Sequence, residues 1–175
     1  MNRPVAGPGR SPSLSAMTIN VGDKIPAIDV FVMKESGPEK VNTGDVLGTG
    51  KVVLFAVPGA FTPGCSKVHL PGFVEQASAL TDKGVDTIAC IAVNDAFVMG
   101  AWAADQNVGD KIVMLADGNG AFTEAMGLVM DGSGFGLGSR SKRYAAIIDD
   151  GVVTNLDVDD SGVVVSACSA VLDRL

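Results

Sequence analysis

Residues 57–66 read VPGAFTPGCS and place a thiol where a helix is expected to begin. With Thr62 as N-cap, Pro63 becomes the first helical residue, Gly64 the second and Cys65 the third. The sulfur then lies in the first turn, among backbone N–H groups with no intrahelical partner and at the positive end of the peptide dipoles. Such a site favours an anion, and a thiolate is both an anion and the nucleophilic form of cysteine. The competing reading makes Cys65 a small buried hydrophobe. Pro58, Gly59, Pro63 and Gly64 weigh against it, because they shape a backbone for close approach rather than fill a core.

Other residues that could do chemistry are few. His69, the sole histidine, follows Cys65 by about one helical turn on the same face, where it would tune the thiolate, contact substrate or shape the pocket. Cys65 and His69 without a convincing third ligand do not make a zinc site. TPGC lacks the second cysteine of a C-x-x-C pair, which argues against a thiol-disulfide carrier. Cys90 falls within TIACIAV, read as a central strand buried on both faces, where a thiol is normally inert. Cys168 falls in the first turn of the last expected helix, after a capping Ser166, and is expected to be exposed and partly activated. The stretch DGSGFGLGS does not join strand to helix as a phosphate cradle must, and reads as a mobile loop beside the site.

These residues need a scaffold. IDVFV and KVVLFAV are strand-like, and VHLPGFVEQASALTDKG is helical, with Val68, Val74, Ala77 and Leu80 near one face and Gly84 as a stop. DTIACIAV is a strand, DAFVMGAWAADQ a helix capped by Asp95, KIVMLAD a strand and GAFTEAMGL a short helix. RYAAIIDDGVVTNLDV reads as a hairpin turning at Asp150-Gly151, and SACSAVLDRL as a closing helix. Alternating units followed by a hairpin predict an α/β fold, a mixed central sheet with helices on both faces.

Composition sets the remaining bounds. The 175 residues, 47% hydrophobic, suffice for one well-filled domain. A net charge of −7 leaves no basic stripe for nucleic acid or an anionic membrane surface. Three scattered cysteines fit a reducing compartment better than a disulfide framework. Residues 1–18 carry Arg3 and Arg10 with Ser, Pro and Gly and no acidic residue. They read as a flexible leader, with a targeting segment as the alternative, ahead of a domain spanning residues 19–175.

VPGAFTPGCS resembles the active-site signature of the peroxiredoxins, in which a proline, a threonine and a cysteine recur at the spacing of Pro58, Thr62 and Cys65. KVHLPGFVEQA, VNDAFVM, LADG, GLGSRSKRYA and DDGVV extend the similarity to the type II or type five subfamily. The resemblance implies a thioredoxin-like fold and a thiol-dependent peroxidase, acting on hydrogen peroxide and alkyl hydroperoxides without metal or organic cofactor. Cys65 would attack the peroxide and become a sulfenic acid. Thr62 would offer its hydroxyl to the thiolate and the bound peroxide, Pro58 would shield the sulfur, and the N–H groups of Gly64 and Cys65 would hold peroxide oxygens. Arg143 would stabilise thiolate and transition state, with Arg140 as runner-up; without the resemblance Arg143 reads as an ordinary solvated charge.

The resemblance leaves the return to thiol open. Cys90 and Cys168 are the candidate resolving cysteines, the second displaced from the position that animal relatives use. That displacement favours a one-cysteine route through glutaredoxin and glutathione, or thioredoxin. A homodimer joined near the site is implied, and the compartment is expected to be cytoplasmic, with a mitochondrion or plastid if residues 1–18 form a transit segment. A non-catalytic redox sensor, passing oxidation of Cys65 to a partner protein, shares the first chemical step and is the alternative.

Overall fold

A computed structural model describes residues 17–175; the expected leader therefore lies almost wholly outside the described part. Its centre is the apolar run β3 (Lys51–Ala56), flanked by β4 (Thr87–Ala92) and β8 (Arg143–Asp149). With β1 (Asp29–Lys34), β2 (Gly37–Asn42), β5 (Val113–Ala116) and β9 (Val152–Asp159) they form a seven-stranded sheet in the order β2-β1-β5-β4-β3-β8-β9. β3 pairs in parallel with β4 and antiparallel with β8, so the sheet is mixed.

The central strands lack polar–apolar alternation because both faces are covered. Val53 and Phe55 point to one side, with Cys90 and Ala145 beside Phe55, while Val52, Leu54 and Ala56 point to the other. The first side is covered by α2 (Leu70–Glu75), α3 (Ala77–Asp82), α4 (Ala96–Asp105) and α6 (Cys168–Arg174), and the second by α5 (Ala121–Met126). Phe55 stacks on Phe73 of α2 at a centroid distance of 3.9 Å, a contact worth about 1 kcal/mol beyond its buried area.

Local signals explain most boundaries. Asp95 caps α4 by accepting from the N–H of Val98 at 2.8 Å, and Gly84 ends α3 at a φ of 90°. Asp150 and Gly151 both take positive φ, as a tight hairpin turn requires.

Two expectations need correction, one is refined, and two elements were unforeseen. The helix expected over 68–84 is broken: a π-helical turn, Cys65–His69, precedes α2, and Gln76 separates α2 from α3. The i→i+5 bond from Leu70 N–H to the Cys65 carbonyl delays the phase of the helix, so Val68 faces solvent and His69 turns inward. The glycine-rich stretch is a loop as expected, but a closed one: it joins β6 (Val129–Asp131) to β7 (Ser139–Ser141) in a hairpin, with Gly132 N–H on the Gly138 carbonyl at 2.7 Å. Ser166 is not the cap of α6; Ala167 holds that position without a side-chain bond. Finally, β2 and the short helix α1 (Thr43–Val46) had no expected counterpart: GPEKVN is a polar edge strand with a proline at its second position, a pattern with no buried face to betray it.

Candidate active site

The strand β3 ends in a loop folded back on itself. Thr62 donates its hydroxyl to the Gly59 carbonyl at 2.7 Å, and the N–H of Ala60 is held by the Asn94 side-chain oxygen at 3.0 Å. Between them Phe61 adopts a φ of 64°, a left-handed conformation that costs a bulky residue of order 1–3 kcal/mol. Helical bonding starts from the Thr62 carbonyl, which accepts from the N–H of Ser66 at 2.9 Å. Thr62 is thus the backbone cap as expected, but its hydroxyl proton is directed at Gly59 rather than at the sulfur.

Cys65 is buried, and its sulfur accepts from Arg143 Nη2 at 3.3 Å. Arg143 opens β8, the strand paired with β3, so sheet register carries the guanidinium to the start of the helix. Two glycines make room for the arginines. A Cβ on Gly64 would lie 3.1 Å from Arg143 Nη2, and one on Gly59 only 2.8 Å from Arg140 Nη1. Arg140, on β7 rather than on a loop, bonds the Leu137 carbonyl at 2.9 Å and reaches the Pro58 carbonyl at 3.5 Å. It therefore holds the loop from outside while Arg143 meets the sulfur.

His69 lies beneath this pair, buried against Phe55 and Phe73 at centroid distances of 5.0 and 5.6 Å. Its Nδ1 is 2.9 Å from Arg143 Nη1 and its Nε2 is 2.9 Å from the Ser166 carbonyl. With both ring nitrogens occupied, it has no free atom for a substrate. Its pKa falls to about 4, driven first by burial and further by the neighbouring Arg143 charge, against opposing contributions from the Ser166 carbonyl and Asp159. The ring is therefore neutral at physiological pH.

The other thiols lack such partners. Cys90 is buried in β4 on the same side of the sheet as Cys65 and, among the described residues, makes no bond to a guanidinium; burial pushes its thiol well up and the Cys65 charge adds to the effect, with the Arg143 charge opposing it only in part. Cys168 was expected to be exposed and partly activated. It is only 2% exposed, and desolvation lifts its pKa to about 11. The first turn of α6 presents it to the core, where no charged group compensates. A depression of about 270 Å³ adjoins Pro58 and Arg143, with Lys142, Asp160 and Gly162 on its rim.

Sequence reasoning missed Asp159 and Asn94, and read Ser166 only as a helix cap. Asp159 lies in a stretch between the expected hairpin and the closing helix that carries no motif. Yet Asp159 accepts from the N–H groups of Val164, Val165 and Ser166 at 3.0–3.1 Å, and from the Ser166 hydroxyl. No local pattern announces a bond that spans a loop.

An arginine aimed at a cysteine sulfur in a first helical turn is an arrangement that can hold a thiolate beside an incoming oxygen. Known proteins share the chain's sequence and fold. The redoxin family profile matches residues 20–172. Peroxiredoxin-2E of Arabidopsis thaliana, a chloroplastic protein, is 50% identical over 149 residues, covering 83% of this chain and 64% of that protein. The chloroplastic peroxiredoxin-2E-2 of rice is 49% identical, covering 83% of this chain and 67% of the relative. Among solved structures, reduced Prx3 of Vibrio vulnificus in complex with hydrogen peroxide superposes with a TM-score of 0.86 at 47% identity, covering 90% of this chain and 99% of that one. The chain thus belongs to the redoxin family, with the thioredoxin-like fold of the peroxiredoxins to which it is similar over most of its length.

Proposed function

We propose that the chain reduces hydrogen peroxide and small alkyl hydroperoxides through Cys65. The observation that carries this reading is the contact of Arg143 Nη2 with the Cys65 sulfur at 3.3 Å, in a first helical turn that the loop glycines leave open. The thiolate attacks the terminal peroxide oxygen. An S–O bond forms, the O–O bond breaks, and the departing alkoxide takes a proton to leave as alcohol or water. Cys65 becomes a sulfenic acid, oxidised by two electrons. Arg143 and the first-turn N–H groups of Gly64 and Cys65 stabilise the charge that passes from sulfur to oxygen. Thr62 closes the loop through Gly59, its oxygen free to accept from a peroxide O–H. Pro58 walls the depression beside Arg143.

The sulfenic acid is returned by an external thiol, glutathione with glutaredoxin, ahead of thioredoxin. This reading is supported by the two other thiols: Cys90 is locked in a central strand and Cys168 is buried with a raised pKa. The chain pairs with a second copy through a surface near the site, a reading supported by the exposed aromatics Phe61 and Phe97 on the two segments that the Ala60–Asn94 bond ties together. A plastid is favoured over the expected cytoplasm, because the Arabidopsis and rice relatives are named as chloroplastic.

The test is stoichiometric oxidation with hydrogen peroxide, trapping of sulfenic acid and peptide mapping. The expected product is a trapped adduct on Cys65, reduced faster by glutaredoxin with glutathione than by thioredoxin. A dominant Cys65–Cys90 or Cys65–Cys168 disulfide would overturn the external route, and an unmodified Cys65 would overturn the peroxidase reading.

A further inference from the structure

Arginine carries donors only, so the nitrogen of His69 that faces Arg143 must be an acceptor. The ring proton is therefore on Nε2, where it donates to the Ser166 carbonyl. With the proton on Nδ1 instead, two N–H groups would confront each other and the carbonyl would face a lone pair. The Ser166 carbonyl thus selects the tautomer that can receive Arg143.

What aims this carbonyl is the carboxylate of Asp159. Residues 160–167 form bends and turns without regular bonding, and Asp159 gathers three of their N–H groups and the Ser166 hydroxyl onto its two oxygens. Asp159 is also the cross-strand partner of Arg143 where β8 and β9 begin and end. The path is consequently a closed ring: backbone pairing of Arg143 with Asp159, then Asp159 to Ser166, Ser166 to His69, and His69 back to the guanidinium. The carboxylate makes no ion pair with Arg143 despite this adjacency, because its oxygens are turned to the loop. The positive charge of Arg143 is left for the sulfur.

We infer that Asp159 and Ser166 are positioning residues for the Cys65 reaction: they fix the tautomer of His69, and His69 fixes the rotation of the Arg143 guanidinium against the sulfur. The inference rests on the roles proposed above for Cys65 and Arg143. Breaking the ring at Asp159 frees the loop, lets both tautomers of His69 exist, and lets the guanidinium turn from Cys65. Loss of a whole charge-stabilising donor costs about 100-fold or more in rate, so its misorientation is expected to cost about tenfold.

His69 is the only histidine, so one pair of ring-nitrogen resonances reports the tautomer without assignment by mutation. The experiment combines ¹⁵N NMR of the full chain with the rate at which hydrogen peroxide oxidises Cys65, in wild type, Asp159→Ala and the shape-conserving Asp159→Asn. Each is also made in an Arg143→Lys background. Expected are an Nε2–H ring in wild type, tautomer exchange in Asp159→Ala with about tenfold slower oxidation, and a smaller loss in Asp159→Asn. In the Arg143→Lys background Asp159→Ala should add no further loss. An Nδ1–H ring in wild type, an unchanged tautomer in both Asp159 variants, or an equal rate loss with and without Arg143 would each overturn the inference. A wild type whose Cys65 does not react would instead overturn the peroxidase reading, leaving the tautomer result to stand by itself.

Discussion

Cys65 and Cys168 invite comparison because both fall in the first turn of a helical segment and both are buried, at 0% and 2% exposure. Cys65 meets a guanidinium at 3.3 Å and follows a loop in which Gly59 and Gly64 leave room for the two arginines. Cys168 meets the apolar core and is pushed up to about 11 by desolvation alone. A helix start is therefore not enough to activate a thiol. The peptide dipoles contribute about 1 kcal/mol at most surface sites, which burial without a partner outweighs. The difference lies in strand register: β8 delivers Arg143 to one sulfur and no strand delivers a cation to the other.

The largest effect expected from this comparison is Cys65→Ser, which keeps the shape but offers no accessible anion. Peroxide consumption should fall below detection while Cys168→Ser and Cys90→Ser retain it with glutaredoxin and glutathione. Residual turnover in Cys65→Ser near the wild-type rate would end the distinction. Next, Arg143→Ala should slow the peroxide reaction about 100-fold, the cost of one lost charge-stabilising donor. Stopped-flow oxidation measures it, and a change under about threefold would mean that the helix start suffices after all.

A third test uses acid. The folded-state pKa of His69 is depressed to about 4, so between that value and its ordinary 6.5 the unfolded chain binds a proton that the folded chain refuses. Stability from this group is complete above the unfolded value and is lost as pH falls. Denaturant titrations should lose roughly 2 kcal/mol between about pH 7 and about pH 4.5, and His69→Gln should flatten that slope. A slope identical in both proteins would show that His69 is not neutral in the fold.

Smaller still, Gly64→Ala places a methyl 3.1 Å from Arg143 Nη2 and should displace the guanidinium, slowing oxidation a few-fold to about tenfold with the melting temperature little changed. The smallest effect belongs to Cys168→Ala: turnover within about twofold, and about 1 kcal/mol of stability lost to a small cavity. A greater loss of thioredoxin-dependent turnover would give Cys168 a redox role that its surroundings do not suggest.

Much of this was legible in the chain because the controlling signals are local. Pro63 after Thr62, Asp95 before its helix and Asp150-Gly151 between strands each act over a few residues, and the structure follows them. The inward turn of His69 was harder to read. Helical spacing does put it on the Cys65 side, but a π turn alters the phase, sending Val68 out and removing it from the expected apolar stripe. Cys168 was misjudged because a helix start says nothing of which way the helix faces; Ala167 rather than Ser166 begins it, and the thiol packs inward. Ser166 is instead committed to Asp159, a bond between residues seven apart across an irregular loop. Single-residue patterns carry no trace of such closure.

The chain's sole tryptophan lies where it can be used. Trp102 is fully buried in α4, and its indole N–H donates to the hydroxyl of Ser66, the residue that follows Cys65 in the π turn. That bond survives only while the turn stays wound. Any step in which the oxidised sulfur must emerge to meet another thiol pulls Ser66 away and leaves the indole without an acceptor. The chain therefore carries its own optical gauge: a change in tryptophan emission that coincides with oxidation reports unwinding at once, whereas one that waits for the reductant reports a turn held closed until its partner arrives.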